Sequence, residues 1–109
     1  MTCAKRKNGR RAIIWGDEFL DRSVWGEPYF ANSTPEKKTH EFLDQLDQSI
    51  IIADWQYEIK QGRVPTSEYF MQKGRDTVLC PWEDVLNIET LGKEAAHIGA
   101  FGFMATTWH

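Results

Sequence analysis

A chain of 109 residues has room for a single domain, and its 41% hydrophobic and 27% charged content is that of a globular protein rather than a disordered one. A formal net charge of −3 gives no field that would draw nucleic acid or an anionic membrane. No apolar run approaches the roughly 20 residues needed to span a bilayer.

Residues 1–10 read as the end of a helix stopped by Asn8-Gly9. The basic cluster Lys5, Arg6, Lys7, Arg10 and Arg11 reads as a solvated helix end and loop, and no apolar signal segment follows the first charges. The run Arg11-Ala12-Ile13-Ile14-Trp15, ended by Gly16, is a buried-strand candidate. Residues 17–33 are rich in Gly, Pro, Asn and Ser and form a long loop, a kind of segment that often carries function.

Thr34-Pro35-Glu36 has the makings of a helix start: a capping hydroxyl, a proline at the first position and an acid at the positive dipole end. Phe42, Leu43 and Leu46 are expected to share that helix's buried face. In Ser49-Ile50-Ile51-Ile52-Ala53-Asp54-Trp55, three consecutive isoleucines suit a strand covered on both faces. After the turn Gln61–Pro65, Thr66 is expected to cap a short helix through Lys73, closed by Gly74. Thr77-Val78-Leu79-Cys80 is the third strand, cut off by Pro81. Within it Cys80 reads as a buried thiol, since Cys3 and Cys80 are too few for a disulfide framework. Residues 85–98 carry Ile88, Leu91, Ala95 and Ile98 on one stripe and end at Gly99. A last small and apolar strand, Ala100–Thr106, leads to Trp108.

Strands are thus expected at about 11–15, 49–55, 77–81 and 101–106, alternating with helices. This alternation predicts an α/β fold of parallel strands joined by right-handed crossovers. Units of roughly 30 residues fit the C-terminal half of a (β/α)8 barrel, with residues 1–109 as one segment; a small doubly wound sheet fits the same alternation.

The chemistry-bearing residues gather at the strand ends. There the chain reads Trp15-Gly16-Asp17-Glu18, Asp54-Trp55-Gln56-Tyr57, Pro81-Trp82-Glu83-Asp84 and Thr106-Thr107-Trp108-His109. Ligands of parallel α/β folds bind at the C-terminal ends of the strands. Four of the chain's five tryptophans, each with polar or acidic neighbours, would meet at that edge. Flat aromatic faces beside carboxylates suit a ligand with C–H faces and many hydroxyls, which describes a sugar. His40, His97 and His109 have no metal-site spacing, and no phosphate-binding glycine motif or serine elbow is present, so neither metal nor cofactor is expected.

Ile13-Ile14-Trp15-Gly16-Asp17, Ile50–Tyr57, Val78-Leu79-Cys80-Pro81 and Gly102–Trp108 together resemble the late strands of glycoside hydrolase family 20, with the hexosaminidase D type nearest. The resemblance runs from about residue 11 to 109. It implies a barrel that removes terminal N-acetylhexosamines by substrate-assisted hydrolysis. In that reaction the acetamido oxygen attacks the anomeric carbon, while a consecutive Asp-Glu pair orients it and supplies the acid. That pair belongs to a pattern like His/Asn-x-Gly-x-Asp-Glu. Asp17-Glu18 does not sit in this pattern and lines up instead with a later Trp-x-Asp motif. The resemblance therefore places the catalytic residues outside this chain. It matches Trp15 and Trp108 to walls of the N-acetyl pocket and Tyr57 to a hydroxyl donor to the acetamido oxygen. Asp17, Trp55, Trp82 and Glu83 become pocket residues.

The implied partner is an N-acetylhexosamine-type carbohydrate, with no nucleic acid or membrane. A half barrel also has open edges at Ala12–Trp15 and Gly102–Thr106 and an inner face expected to expose Ile51, Val78 and Phe103. It should then pair with a second copy or with the missing N-terminal half. The alternative is a stand-alone, non-catalytic α/β module that binds a ligand or assembles with itself.

Overall fold

The computed structural model describes residues 11–106; the expected helix end at 1–10, Cys3, Trp108 and His109 lie outside them. The described strands are β1 (Ile13–Trp15), β2 (Ile51–Trp55), β3 (Thr77–Cys80) and β4 (Gly102–Phe103). They form one sheet in the order β1-β2-β3-β4 with every neighbouring pair parallel. The protein is therefore a small α/β domain, as the alternation of apolar runs and amphipathic segments requires.

β4 is shorter than expected for a local reason. The amides of Phe101, Met104 and Thr106 donate to the carbonyls of Thr77, Leu79 and Pro81. Between the first two of these bonds one strand advances by one more residue than the other, so regular register stops after Phe103 while the backbone keeps following β3.

Side-chain alternation along the strands divides the sheet into two faces. Ile52 packs with Leu20, Ala31, Leu43 and Phe70, and Leu79 packs with Ile59, Val64 and Leu91. Because Asp54 is registered with Leu79 and Ile52 with Thr77, these clusters lie on one face of the sheet. They draw on all three connections between strands. A doubly wound sheet reverses its strand order and carries helices on both faces. Here there is no reversal and the connections share a face, so the doubly wound alternative is set aside.

The helix over 85–98 stands as expected, whereas the two segments before it differ from expectation at their starts. α1 (Pro65–Gln72) begins two residues early, after Val64, and Thr66 does not cap it. The Thr66 side chain instead reaches Asp54. α2 (Val85–Ile98) is capped by Asp84, whose carboxylate accepts from the amides of Leu86 and Asn87 at 2.9 and 3.1 Å, and Gly99 closes it at φ 68°. The expected helix after Thr34 is a turn followed by a 3-10 helix, Thr39–Gln45, entered through Lys38 at φ 55°. With three residues per turn, Leu43 and Leu46 eclipse and pack inward, while Phe42 points away and is 51% exposed.

Arg11 ties the N-terminal ends of the strands together. Its Nε donates to the Ser49 carbonyl at 2.7 Å, its guanidinium pairs with Asp76 at 2.7 Å, and it lies 5.1 Å from the ring centre of Phe101. One side chain beside β1 thus touches the residues leading into β2, β3 and β4.

The opposite face corrects another expectation. Ile51 and Val78 are not exposed: they pack with Ala53, Cys80 and Trp55 and are buried. Phe103 is not a member of that face. Its register partner is Leu79, and its ring lies beside Gly92 of α2, so it belongs to the helix side. The edge residues Ile13 and Trp15 are 51% and 43% exposed.

Candidate functional site

The loops that follow β1, β2 and β3 meet at the C-terminal edge of the sheet, and side chains of β2 organise them. Alternation sends Asp54 and Gln56 toward the helices and Trp55 and Tyr57 the other way. Gln56 is fully buried; its Oε1 accepts from the Phe30 amide at 2.8 Å and its Nε2 donates to the Phe30 carbonyl at 3.2 Å. The amide side chain acts as a short piece of strand that fixes the first loop against β2. Phe30 then stacks on Trp55, with ring centres 4.7 Å apart and planes at 30°.

Asp17 holds Trp55 from behind. It is only 8% exposed, and one carboxylate oxygen accepts from the Trp55 indole N–H at 2.8 Å. The other oxygen accepts from the Asn32 amide, and the Asp17 carbonyl accepts from the Asn32 backbone N–H. Asp17 is thus a positioning residue beneath the aromatic surface.

The aromatic series continues from Trp55 to Tyr57 at 5.1 Å and from Tyr57 to Trp82 at 5.5 Å. The Tyr57 hydroxyl lies 2.9 Å from Thr106 Oγ1, and Thr106 Oγ1 donates to the Pro81 carbonyl at 2.9 Å. Since threonine has one hydroxyl proton, Tyr57 is the donor in the first of these bonds. Asn87 sets the Trp82 loop: its oxygen accepts from the Trp82 amide, and its Nδ2 donates to the carbonyls of Gln56 and Ile59. The Trp82 indole nitrogen is buried without a hydrogen-bond partner among the described residues.

Two clefts open along this edge. The larger, about 750 Å³, is lined by the 22–32 loop, including Trp25, Tyr29 and Phe30, together with Glu58. The smaller, about 330 Å³, is lined by Tyr57, Glu58, Lys60, Trp82, Glu83 and Asp84.

Of the residues singled out in the sequence, Asp17, Trp55, Tyr57 and Trp82 form one connected array and Glu83 lines the small cleft beside it. Trp15 stands on the sheet face registered with Ala53 and lines neither cleft, and Trp108 lies outside the described residues. The adjacent carboxylates of Asp17 and Glu18 diverge. Asp17 turns to Trp55, whereas Glu18 reaches the Thr39 hydroxyl and Lys37 of the β1–β2 connection. Phe30, Glu58 and Asn87 carry no sequence signal of their own, and Gln56 is marked only by its place at a strand end. The long 17–33 loop signalled that something there mattered, but nothing local marks Phe30 as the ring that meets Trp55.

Two buried groups at the strand ends are structural. Asp54 is fully buried and accepts from Thr66 Oγ1, Ser67 Oγ and Gln56 Nε2 at 2.7, 2.7 and 3.0 Å. Burial raises its pKa above the ordinary range despite those bonds. Burial also pushes the Cys80 thiol up to about 12, with the Asp54 carboxylate adding to the effect, so it is no nucleophile at neutral pH. Among the described residues no group of three His, Cys, Asp or Glu could hold a metal ion, and no helix is long and apolar enough to cross a membrane. The sequence matches no protein-family model and no curated protein.

Proposed function

We propose that this chain is the C-terminal half of a (β/α)8 glycosidase barrel similar to family 20 β-N-acetylhexosaminidases. In that reading it supplies the aromatic wall of the pocket for a terminal N-acetylhexosamine and not the catalytic Asp-Glu pair. The observation that carries this reading is the unbroken ring series Phe30, Trp55, Tyr57 and Trp82 at the C-terminal edge of a parallel sheet, where such folds bind ligands. The single-faced winding of the sheet supports the barrel, since barrel strands follow one another in order with their helices on one side.

The chain's own residues then bind and orient. Trp55 and Trp82 stack on C–H faces of the ring, and Asp17 keeps Trp55 in place. Tyr57, now donating to Thr106, turns its proton to the acetamido oxygen when the sugar arrives. The general acid that protonates the leaving oxygen comes from the other half of the barrel.

The test is paired. The purified chain should bind N-acetylglucosamine, followed by tryptophan fluorescence, and lose that binding in Trp55→Ala. It should not hydrolyse a chromogenic N-acetylglucosaminide. Turnover abolished by Glu18→Gln would make Asp17-Glu18 the catalytic pair and overturn the assignment.

One observation favours the stand-alone module instead: Ile51, Ala53, Val78 and Cys80 are already buried in a single copy. The half-barrel reading has the chain pair with a second copy or an upstream half through β1 and β4. Light scattering that finds a monomer with cooperative unfolding and no dye-binding apolar surface would favour the module.

A further inference from the structure

The larger cleft, about 750 Å³, has the size of a small-ligand site, and its walls carry charges of both signs. Arg22 is its cation, Glu27 and Glu58 are its carboxylates, and Trp25, Tyr29 and Phe30 supply rings. We infer that this cleft binds a short peptide with free ends, a zwitterion with apolar side chains. Arg22 takes the C-terminal carboxylate, Glu27 and Glu58 hold the N-terminal ammonium, and the rings cover the side chains. The site stands independently of the sugar pocket over Tyr57 and Trp82.

Arg22 is an oriented cation with donors to spare. Its Nε donates to the Ala31 carbonyl and its Nη2 to the Asn32 side-chain oxygen, each at 3.1 Å. Both acceptors are neutral, so no carboxylate among the described residues cancels the charge. Both are also fixed. Ala31 is buried in the core, and Asn32 turns its oxygen to Arg22 because its Nδ2 donates to Asp17. The Arg22 amide donates to the Ser33 carbonyl at 2.8 Å, which holds the backbone beneath the side chain. A guanidinium has five N–H groups, so both protons of Nη1 and one of Nη2 remain. Together the two terminal nitrogens offer the fork that a carboxylate accepts with its two oxygens. The side chain is already held, so binding orders it little further.

The other walls define the rest of the ligand. Glu27 and Glu58 are exposed, and neither has a cationic partner among the described residues. A simple anion at Arg22 would meet these two carboxylates, and a simple cation between them would meet Arg22. A ligand carrying one charge of each sign satisfies both. The rings favour an apolar body between its ends. Trp25 meets Tyr29 edge-on at 5.5 Å and Tyr69 of α1 at 5.9 Å, which seats the indole against the core. Gln56 pins the loop at Phe30. The rings are therefore placed before any ligand arrives, and partly exposed aromatic faces gain most from covering apolar side chains.

The experiment is calorimetric titration of the full chain with the dipeptide phenylalanyl-leucine, its C-terminal amide and its N-acetyl form. The free dipeptide should bind about tenfold more tightly than either blocked form, as expected for one charge-assisted contact at a solvated site. Arg22→Gln should lower the affinity for the free dipeptide to that for the amide and leave the amide's own affinity unchanged. The double variant Glu27→Gln with Glu58→Gln, both at exposed positions, should abolish the preference over the N-acetyl form, and it keeps the test in force if Arg22→Gln does not fold. An amide that binds as tightly as the free dipeptide to the unaltered chain would overturn carboxylate capture by Arg22. An N-acetyl form that binds as tightly would overturn the part given to Glu27 and Glu58. Binding of none of the three would overturn the site, while N-acetylglucosamine binding lost in Trp55→Ala would still stand for the sugar pocket.

Discussion

The indole N–H of Trp55 donates to a carboxylate oxygen of Asp17 at 2.8 Å, joining the end of β2 to the turn after β1 across 38 positions of sequence. Strand register brings the two together, since Trp15 pairs with Ala53 and the Gly16 amide donates to the Ala53 carbonyl. Asp17→Ala leaves this N–H and the Asn32 amide without their acceptor. The expected cost is about 1–3 kcal/mol, measured by urea unfolding, since a half-satisfied buried group loses more than one net hydrogen bond. N-acetylglucosamine binding should fall with it, as Trp55 loses its fixed orientation. Unchanged stability would mean that Trp55 is held by its stacking on Phe30 alone.

Asp54 joins strand to helix. Removing its carboxylate in Asp54→Ala strands the hydroxyls of Thr66 and Ser67 and the Gln56 amide, with an expected loss of roughly 3 kcal/mol or more. The pH dependence has a definite sign. Burial raises the pKa in the folded state above the ordinary value of 3.8, so the folded state binds the proton more tightly than the unfolded chain. The contribution of Asp54 is then fully present below 3.8 and declines as pH rises through the raised folded value. The stability gap between wild type and Asp54→Ala should therefore be wider in acid than at neutral pH. A gap that widens with pH would show that the three hydrogen bonds outweigh burial.

Cys80 should be inert while the protein is folded. Its thiol is buried and pushed up to about 12, leaving almost no thiolate at pH 8. In a Cys3→Ser background, a disulfide reagent should label nothing in buffer and one thiol in denaturant. Labelling in buffer at the denatured rate would mean that β3 opens readily.

The strands were legible because their apolar runs are dense and bounded by breakers: Gly16 after β1, Pro81 after β3, Gly99 before β4. The helix at 85–98 was legible from its stripe and its terminal glycine. The segment after Thr34 was not, because its apolar positions at 42, 43 and 46 satisfy an α-helical face as well as the 3-10 turn it adopts. Lys38 at positive φ, which breaks the helix, has no signature of its own. Thr66 carried a capping signal but answers instead to Asp54, a partner 12 residues away.

At the site, sequence alone determined which residue types reach the C-terminal edge. Strand ends fix that placement, and Trp15, Trp55 and Trp82 stand at or just beyond them. What only tertiary structure decided is what each does there. Alternation along β2 buries Asp54 and Gln56 as scaffold and leaves Trp55 and Tyr57 on the opposite face. Asp17 looks from its neighbours like a rim acid, yet it lies beneath the rings as the acceptor that orients Trp55. Phe30 sits in an irregular loop and joins the array only because a buried amide 26 residues later pairs with its backbone. Such roles depend on which groups register and loop closure set opposite one another, and no local pattern of residues records that.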